Sequence, residues 1–201
     1  LQAYPSVLTV PGEIELAVVV VPERFVAAVL EECGQKGVRG VVVITAGFRE
    51  VGGEGLKKEK ELVDIVRRYD MRMLGPNCLG VIDTICPLNA SFARGMPQQG
   101  EIAMMSQSGA LLIAIHDWAL GEGVGFSRFV SLGNKADIDE TDLLQLWDDD
   151  PHTKVIVAYL EGIADGPEFM KIAEHVGRET PIIAIKAGTS DAGARAVSSH
   201  T

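Results

Sequence analysis

The sequence predicts an α/β protein with two parallel-sheet domains in series. Short, nearly continuous β-branched runs at 14–21 (IELAVVVV), 41–45 (VVVIT) and 154–160 (KVIVAYL) have the pattern of strands buried on both faces. Segments with apolar residues at helical spacing separate these runs, and 22 glycines punctuate the turns. Strands that alternate with helices imply right-handed crossovers and a doubly wound sheet.

The elements follow in order. After the strand over 14–21, Pro22 suits a helix start, and Phe25, Val26, Val29 and Leu30 share one helical face. Gly37 and Gly40 close that helix ahead of the strand at 41–45. A loop containing Gly47, Gly52, Gly53 and Gly55 leads to a helix over 56–70, where Leu62, Val63 and Val66 recur at helical spacing. A short strand at 71–74 ends the first series. Residues 75–99 are rich in Gly, Pro and Asn without periodicity and read as a long connection. The expected division is therefore a first domain over 1–90 and a second over 91–201. The second series is strand 102–105, helix 108–120, strand 126–131, helix 139–147, strand 154–160, helix 167–176 and strand 181–186 (PIIAIK). The small, polar tail after Ala187 reads as a mobile loop. The chain opens without Met and stops at Ser198-Ser199-His200-Thr201, which suggests an internal piece of a longer protein.

Composition narrows the function. The formal net charge is -10, which disfavours nucleic acid and anionic membrane surfaces as partners. Any phosphate must then be held locally by main-chain N–H groups. Cys33, Cys78 and Cys86 lack metal-site spacing and read as reduced, partly buried thiols. No apolar run is long enough to span a bilayer and no signal peptide opens the chain, so the cytoplasm is the expected compartment.

Ligands of open parallel sheets bind beyond the carboxyl ends of the strands. In the first series those ends are Val21-Pro22, Thr45-Ala46-Gly47 and Gly75-Pro76-Asn77-Cys78-Leu79-Gly80. In the second they are Ser106-Gln107-Ser108-Gly109, Gly133-Asn134-Lys135-Ala136-Asp137, Glu161-Gly162 and Lys186-Ala187-Gly188. The SQSG turn places Ser hydroxyls and a helix start together, which suits either a phosphate or an ordinary Ser cap. His200, on a small-residue segment, is either a nucleophile for a phosphoryl group or a solvated loop histidine. Glu161 either fixes the tautomer of a histidine or pairs with a nearby Lys. His116, His152 and His175 read as structural or surface residues, and Asp148-Asp149-Asp150 as a surface run at a helix end.

Together, VVVITAGF (41–48), GPNCLG (75–80), SQSGAL (106–111), SLGNKADID (131–139), YLEG (159–162) and SSHT (198–201) resemble the nucleoside-diphosphate-forming acyl-CoA synthetases. The chain is similar to the α subunit of succinyl-CoA synthetase, and closer to the ADP-forming acetyl-CoA synthetases. The resemblance implies the later part of a Rossmann-like CoA-binding domain, its opening βα unit lying before Leu1. A flavodoxin-like domain carrying a phosphohistidine loop follows.

Residue by residue, it places Val21, Pro22, Thr45, Ala46, Gly47 and Asn77 at coenzyme A. It places Ser106, Gln107, Ser108 and Gly109 at a phosphate. His200 becomes the phosphohistidine and Glu161 the carboxylate that orients it. It implies an NDP-forming ligase acting through an acyl phosphate, in an oligomeric full-length protein. ATP or ADP with Mg²⁺ would be held by an ATP-grasp domain or β subunit. Ile113 stands where succinyl-CoA synthetase has a Tyr that contacts the dicarboxylate, which favours an acetyl-type substrate. The Gly that usually follows SSHT lies beyond Thr201. Two rivals stay open: a CoA-binding regulatory module of a protein acetyltransferase, and a CoA- or nucleotide-binding protein without phosphotransfer.

Overall fold

In the computed structural model, which describes residues 2–188, the contacts divide the chain into two units. The first comprises Leu1–Cys78 with Asn134–Ile138, and the second Leu79–Gly133 with Asp139–Thr201.

The first unit contains β1 (Leu16–Val19), α1 (Glu23–Lys36), β2 (Gly40–Val43), α2 (Glu54–Arg68) and β3 (Arg72–Leu74). The strands form a parallel sheet in the order β1-β2-β3. Its core joins Val26, Leu30 and Cys33 of α1, Leu62, Ile65 and Val66 of α2, and Val19, Val41, Val43 and Met73 of the sheet. The α1 face repeats every three to four residues as an amphipathic helix requires. Gly37, left-handed at φ 83°, ends it. Burial, and then Glu32 beside it, pushes the Cys33 thiol up to about 11, so this cysteine is inert packing.

Two sequence expectations change here. β1 is not buried on both faces: Val18 is 43% and Val20 67% exposed. Among the described residues its Ala17–Val19–Val21 side meets the helices and the Val18–Val20 side does not. The central strand β2 does bury Val41, Val42 and Val43. Phe25 lies off the α1 contact face, with the Arg24 guanidinium 4.6 Å above its ring.

Asn134–Ile138 completes the first unit as a strap along β3. The N–H groups of Asn134, Ala136 and Ile138 donate to the carbonyls of Pro76, Gly75 and Met73 at 2.9, 3.1 and 3.1 Å. The Asp137 carboxylate accepts from the Met73 N–H at 2.7 Å and Arg72 Nε at 3.0 Å.

The second unit contains β4 (Gly80–Asp83), β5 (Leu88–Ser91), β6 (Gln99–Ser106), α3 (Gly109–Glu122), β7 (Phe126–Ser131), α4 (Glu140–Asp148), β8 (Val155–Leu160), α5 (Gly166–Val176) and β9 (Ile182–Lys186). Its six-stranded sheet has the order β5-β4-β7-β6-β8-β9. The β6, β7, β8 and β9 pairings are parallel, whereas β4 runs antiparallel to both β5 and β7. Residues 75–99, expected as a connection, thus include a hairpin that ends the sheet. GVID and LNAS lie among Gly, Pro and Asn residues, and LNAS holds no β-branched residue, so composition marks them as turn.

The Asp148-Asp149-Asp150 run is partly built in. Arg128 Nε donates to Asp83 Oδ2 at 2.9 Å, and its other arm pairs with Asp150. Burial would raise the Asp150 carboxyl, but bonds from Thr153, the His152 N–H and Arg128 outweigh it and hold its pKa below the usual value. Asp148 lies 3.2 Å from His175 Nε2. Among the described residues no group of three or more His, Cys, Asp or Glu is arranged for a metal. None of the described helices is long and apolar enough to cross a membrane.

Gly80 shows how tightly the hairpin is set. Its φ is 111°, and a Cβ there would stand 2.1 Å from the Ala90 carbonyl oxygen. Gly80→Ala should therefore destabilise the protein by about 2 kcal/mol or more in urea denaturation. Gly121→Ala, inside α3 with nothing within 4 Å, should be neutral or stabilise by up to about 1 kcal/mol. Equal effects would show that close approach at Gly80 is not the constraint.

Candidate functional sites at the strand ends

The carboxyl ends of the first sheet bring Val21, Thr45 and Asn77 together. Thr45 Oγ1 donates to the Val21 carbonyl at 2.7 Å, and the Asn77 N–H donates to the Thr45 carbonyl at 3.0 Å. Pro22 and Ala46 are exposed beside them. With the Thr45 hydroxyl engaged, the surface on offer is main chain and small apolar groups.

Beneath this surface lies a polar cluster that sequence reading did not find. The Glu50 carboxylate accepts from the N–H groups of Gly47 at 2.5 Å and Phe48 at 3.2 Å. Asn134 Nδ2 donates to Glu50 Oε2 and to Glu59 Oε2, both at 2.6 Å. Asn77 Nδ2 donates to Asn134 Oδ1 at 3.2 Å. The Arg49 N–H donates to Glu59 Oε2 at 3.2 Å, its Nε stands 3.5 Å from Glu59 Oε1, and its guanidinium also reaches the Asn134 carbonyl. Burial would raise the Glu50 carboxyl, but the bonds from Asn134 and from main-chain N–H groups of Gly47, Glu50 and Phe48 prevail, and its pKa is lowered. The one available signal was the strand-end segment Gly133–Asp137, which gave no hint of its carboxylate partners.

In the second unit the SQSG turn lies between β6 and α3. Ser106 is fully buried. Its hydroxyl donates to the Ser108 carbonyl at 2.8 Å and accepts from the Ser108 N–H at 3.0 Å. Ser108 caps α3, accepting from the Leu111 N–H at 3.3 Å. Both hydroxyls thus shape the turn, and the first N–H groups of the helix at Gly109 and Ala110 precede any intrahelical partner. Gln107 reaches sideways: its Oε1 accepts from the N–H groups of Glu161 and Gly162 at 2.5 and 2.9 Å. The Gln107 N–H donates to the Tyr159 carbonyl at 3.0 Å.

The structure therefore joins Gln107 to Glu161 directly. Lys186 Nζ donates to the Glu161 main-chain carbonyl at 2.8 Å rather than to its carboxylate. His200 lies outside the described residues.

His116 is 1% exposed, edge-on to Phe129 with ring centroids 5.6 Å apart. Its Nδ1 is 3.6 Å from the Asp117 carboxylate, too far for a hydrogen bond, and it acts as core. Ile113 packs half-buried against the same core of Leu79, Ile82 and Leu112.

Known proteins are similar to this chain in sequence and fold. A family described as a CoA binding domain matches residues 1–84, and one described as a succinyl-CoA ligase like flavodoxin domain matches residues 99–201. The chain is 52% identical over 200 residues to the alpha subunit of acetate–CoA ligase (ADP-forming) I of Pyrococcus furiosus, covering 100% of this chain and 43% of that protein. It is 51% identical over 198 residues to acetate–CoA ligase (ADP-forming) I of Archaeoglobus fulgidus, covering 98% of this chain and 29% of that protein. The solved dinucleotide forming acetyl-coenzyme A synthetase 1 of Ca. Korarchaeum cryptofilum, in complex with phosphate and ADP, gives a TM-score of 0.94 at 46% identity. That match covers 100% of this chain and 43% of that one. The chain thus spans less than half the length of each of these relatives.

The Glu50 cluster sets a pH dependence. Its folded pKa lies below its ordinary value of 4.5, so the ionised form stabilises the fold. That contribution is complete above the ordinary value and is lost as pH falls through the folded one. Thermal midpoints measured from pH 6 down to pH 3 should fall, and Glu50→Gln should make the fall shallower. An unchanged slope in Glu50→Gln would remove Glu50 as a contributor.

Proposed function

This chain belongs to the nucleoside-diphosphate-forming acyl-CoA synthetase family, and on that premise we propose that its parent protein interconverts acyl-CoA, ADP and phosphate with a carboxylate, CoA and ATP. The observation that carries the reading is the SQSG helix start, tied through Gln107 to the Glu161 segment. Phosphate attacks the thioester carbonyl, the C–S bond breaks, and CoA leaves as an acyl phosphate forms. A nitrogen of His200 then takes the phosphoryl group and releases the carboxylate. ADP removes the phosphoryl group from that nitrogen as ATP, and the histidine is restored.

Each residue has a defined task. The N–H groups at the start of α3, with Ser106, Gln107, Ser108 and Gly109 around them, stabilise charge on the phosphoryl oxygens. Glu161 holds the His200 ring in the tautomer whose free nitrogen attacks. Coenzyme A lies against Val21, Pro22, Thr45, Ala46, Gly47 and Asn77. Exposed Pro22 and Ala46 with main-chain polar groups suit its neutral pantetheine arm. The nucleotide with Mg²⁺ belongs to an ATP-grasp domain or β subunit, and this chain would be inactive without it. An acetyl-type acyl group is favoured by Ile113 and by the acetate–CoA ligase relatives. Cytoplasmic location and an oligomeric full-length protein complete the reading.

The test uses the full-length protein with its ATP-grasp partner. With γ-labelled ATP and Mg²⁺, acid-labile label should appear on His200 and be discharged by acetate plus CoA. His200→Asn should abolish the label and lower ligase turnover at least about a thousandfold. A folded, CoA-binding protein that takes no label would instead be a regulatory module.

A further inference from the structure

The geometry points to Asn134 as a positioning residue that holds the coenzyme A loop in its binding shape, an inference that rests on the CoA reading above. No residue of the strap Asn134–Ile138 is among those assigned to the ligand. Yet Asn134 touches, directly or through one residue, three of them. Through Glu50 it reaches the N–H group of Gly47, and that of Phe48 beside it. Its Oδ1 accepts from Asn77, whose N–H holds the Thr45 carbonyl.

The chemistry requires this side chain. One amide must donate to two carboxylates, Glu50 and Glu59, while its carbonyl accepts from Asn77. An Asp there would set a third carboxylate against the first two, with Arg49 the cation paired to Glu59. An Ala would leave both carboxylates without their shared donor. Glu50 is the side chain that holds the Gly47 and Phe48 N–H groups, and Gly47, at φ 112°, is a glycine whose own main chain is permissive.

The test is CoA titration calorimetry and steady-state kinetics on the full-length protein with its ATP-grasp partner. Asn134→Asp should weaken CoA binding by about tenfold or more and raise KM for CoA, with kcat and labelling by ATP nearly unchanged. Adding Glu50→Gln to Asn134→Asp restores an amide–carboxylate pair with the roles exchanged, and should recover a substantial part of the affinity. If Asn134→Asp does not fold, Asn134→Ser removes the shared amide without adding charge and is read in the same way. CoA affinity within twofold of the wild type overturns the inference. So does a loss that Glu50→Gln leaves uncorrected, which would make Asn134 general scaffold. A wild-type protein that does not bind CoA overturns the CoA reading itself, and the inference with it.

Discussion

Main-chain crowding in the turn Gly75–Gly80 is the constraint on which both units depend. A Cβ at Gly75 would stand 2.5 Å from the Val43 carbonyl oxygen, and Gly75 holds φ 95°. That approach lets the turn lie against the end of β2. From there the Gly75 and Pro76 carbonyls accept the strap, and the Asn77 N–H bonds to Thr45. Within the second unit, the Leu79 N–H donates to Ser131 Oγ at 3.0 Å and Gly80 enters the β4–β5 pairing. A six-residue motif thus takes part in the hydrogen bonding of each unit, although periodicity gives no sign of it in the sequence.

The acidic charge balance shapes the two candidate sites in opposite ways. In the first unit, a carboxylate of the protein itself, Glu50, takes the N–H groups of Gly47 and Phe48. Those donors are spent on structure, and the loop offers neutral surface to a ligand. In the second unit, the start of α3 is capped by a neutral hydroxyl, Ser108, and has no acidic residue in its first turn. Its donors and its dipole remain for an anion. A protein of net charge -10 thus keeps one helix start electropositive by leaving carboxylates out of it.

The parallel strands β1, β2, β8 and β9 are legible as runs rich in β-branched residues, whereas β3, β6 and β7 carry at most one each and are legible from their place between helices and turns. The strand expected at 126–131 is β7, with the same limits. The hairpin β4–β5 escaped because it lies in a stretch rich in Gly, Pro and Asn, and its LNAS strand holds no β-branched residue. β1 carries the same apolar run as β2, but only what packs on each face decides burial, and no run of letters encodes that. The Glu50–Asn134–Glu59 cluster escaped for a further reason. Its members lie 84 and 75 positions apart, and each resembles an ordinary polar residue until the fold brings them together.

Glu161 combines a fixed main chain with a side chain left for the role proposed for it. Its N–H is held by Gln107 and its carbonyl by Lys186, so the residue is clamped on both sides of the Cα atom. The alternative role foreseen for Glu161, pairing with a Lys, would have consumed the carboxylate. Lys186 instead binds main-chain carbonyls of Glu161 and Ala187. Among the described residues no cation pairs with the Glu161 carboxylate. A clamped backbone limits the positions open to that carboxylate, which favours the uniform hydrogen bond that orienting an imidazole demands. Gln107 then ties the Glu161 main chain to the helix start proposed for an anion. Its amide carbonyl is the shared acceptor for both N–H groups at the end of β8, so the proposed phosphate site and the orienting group are built as one piece.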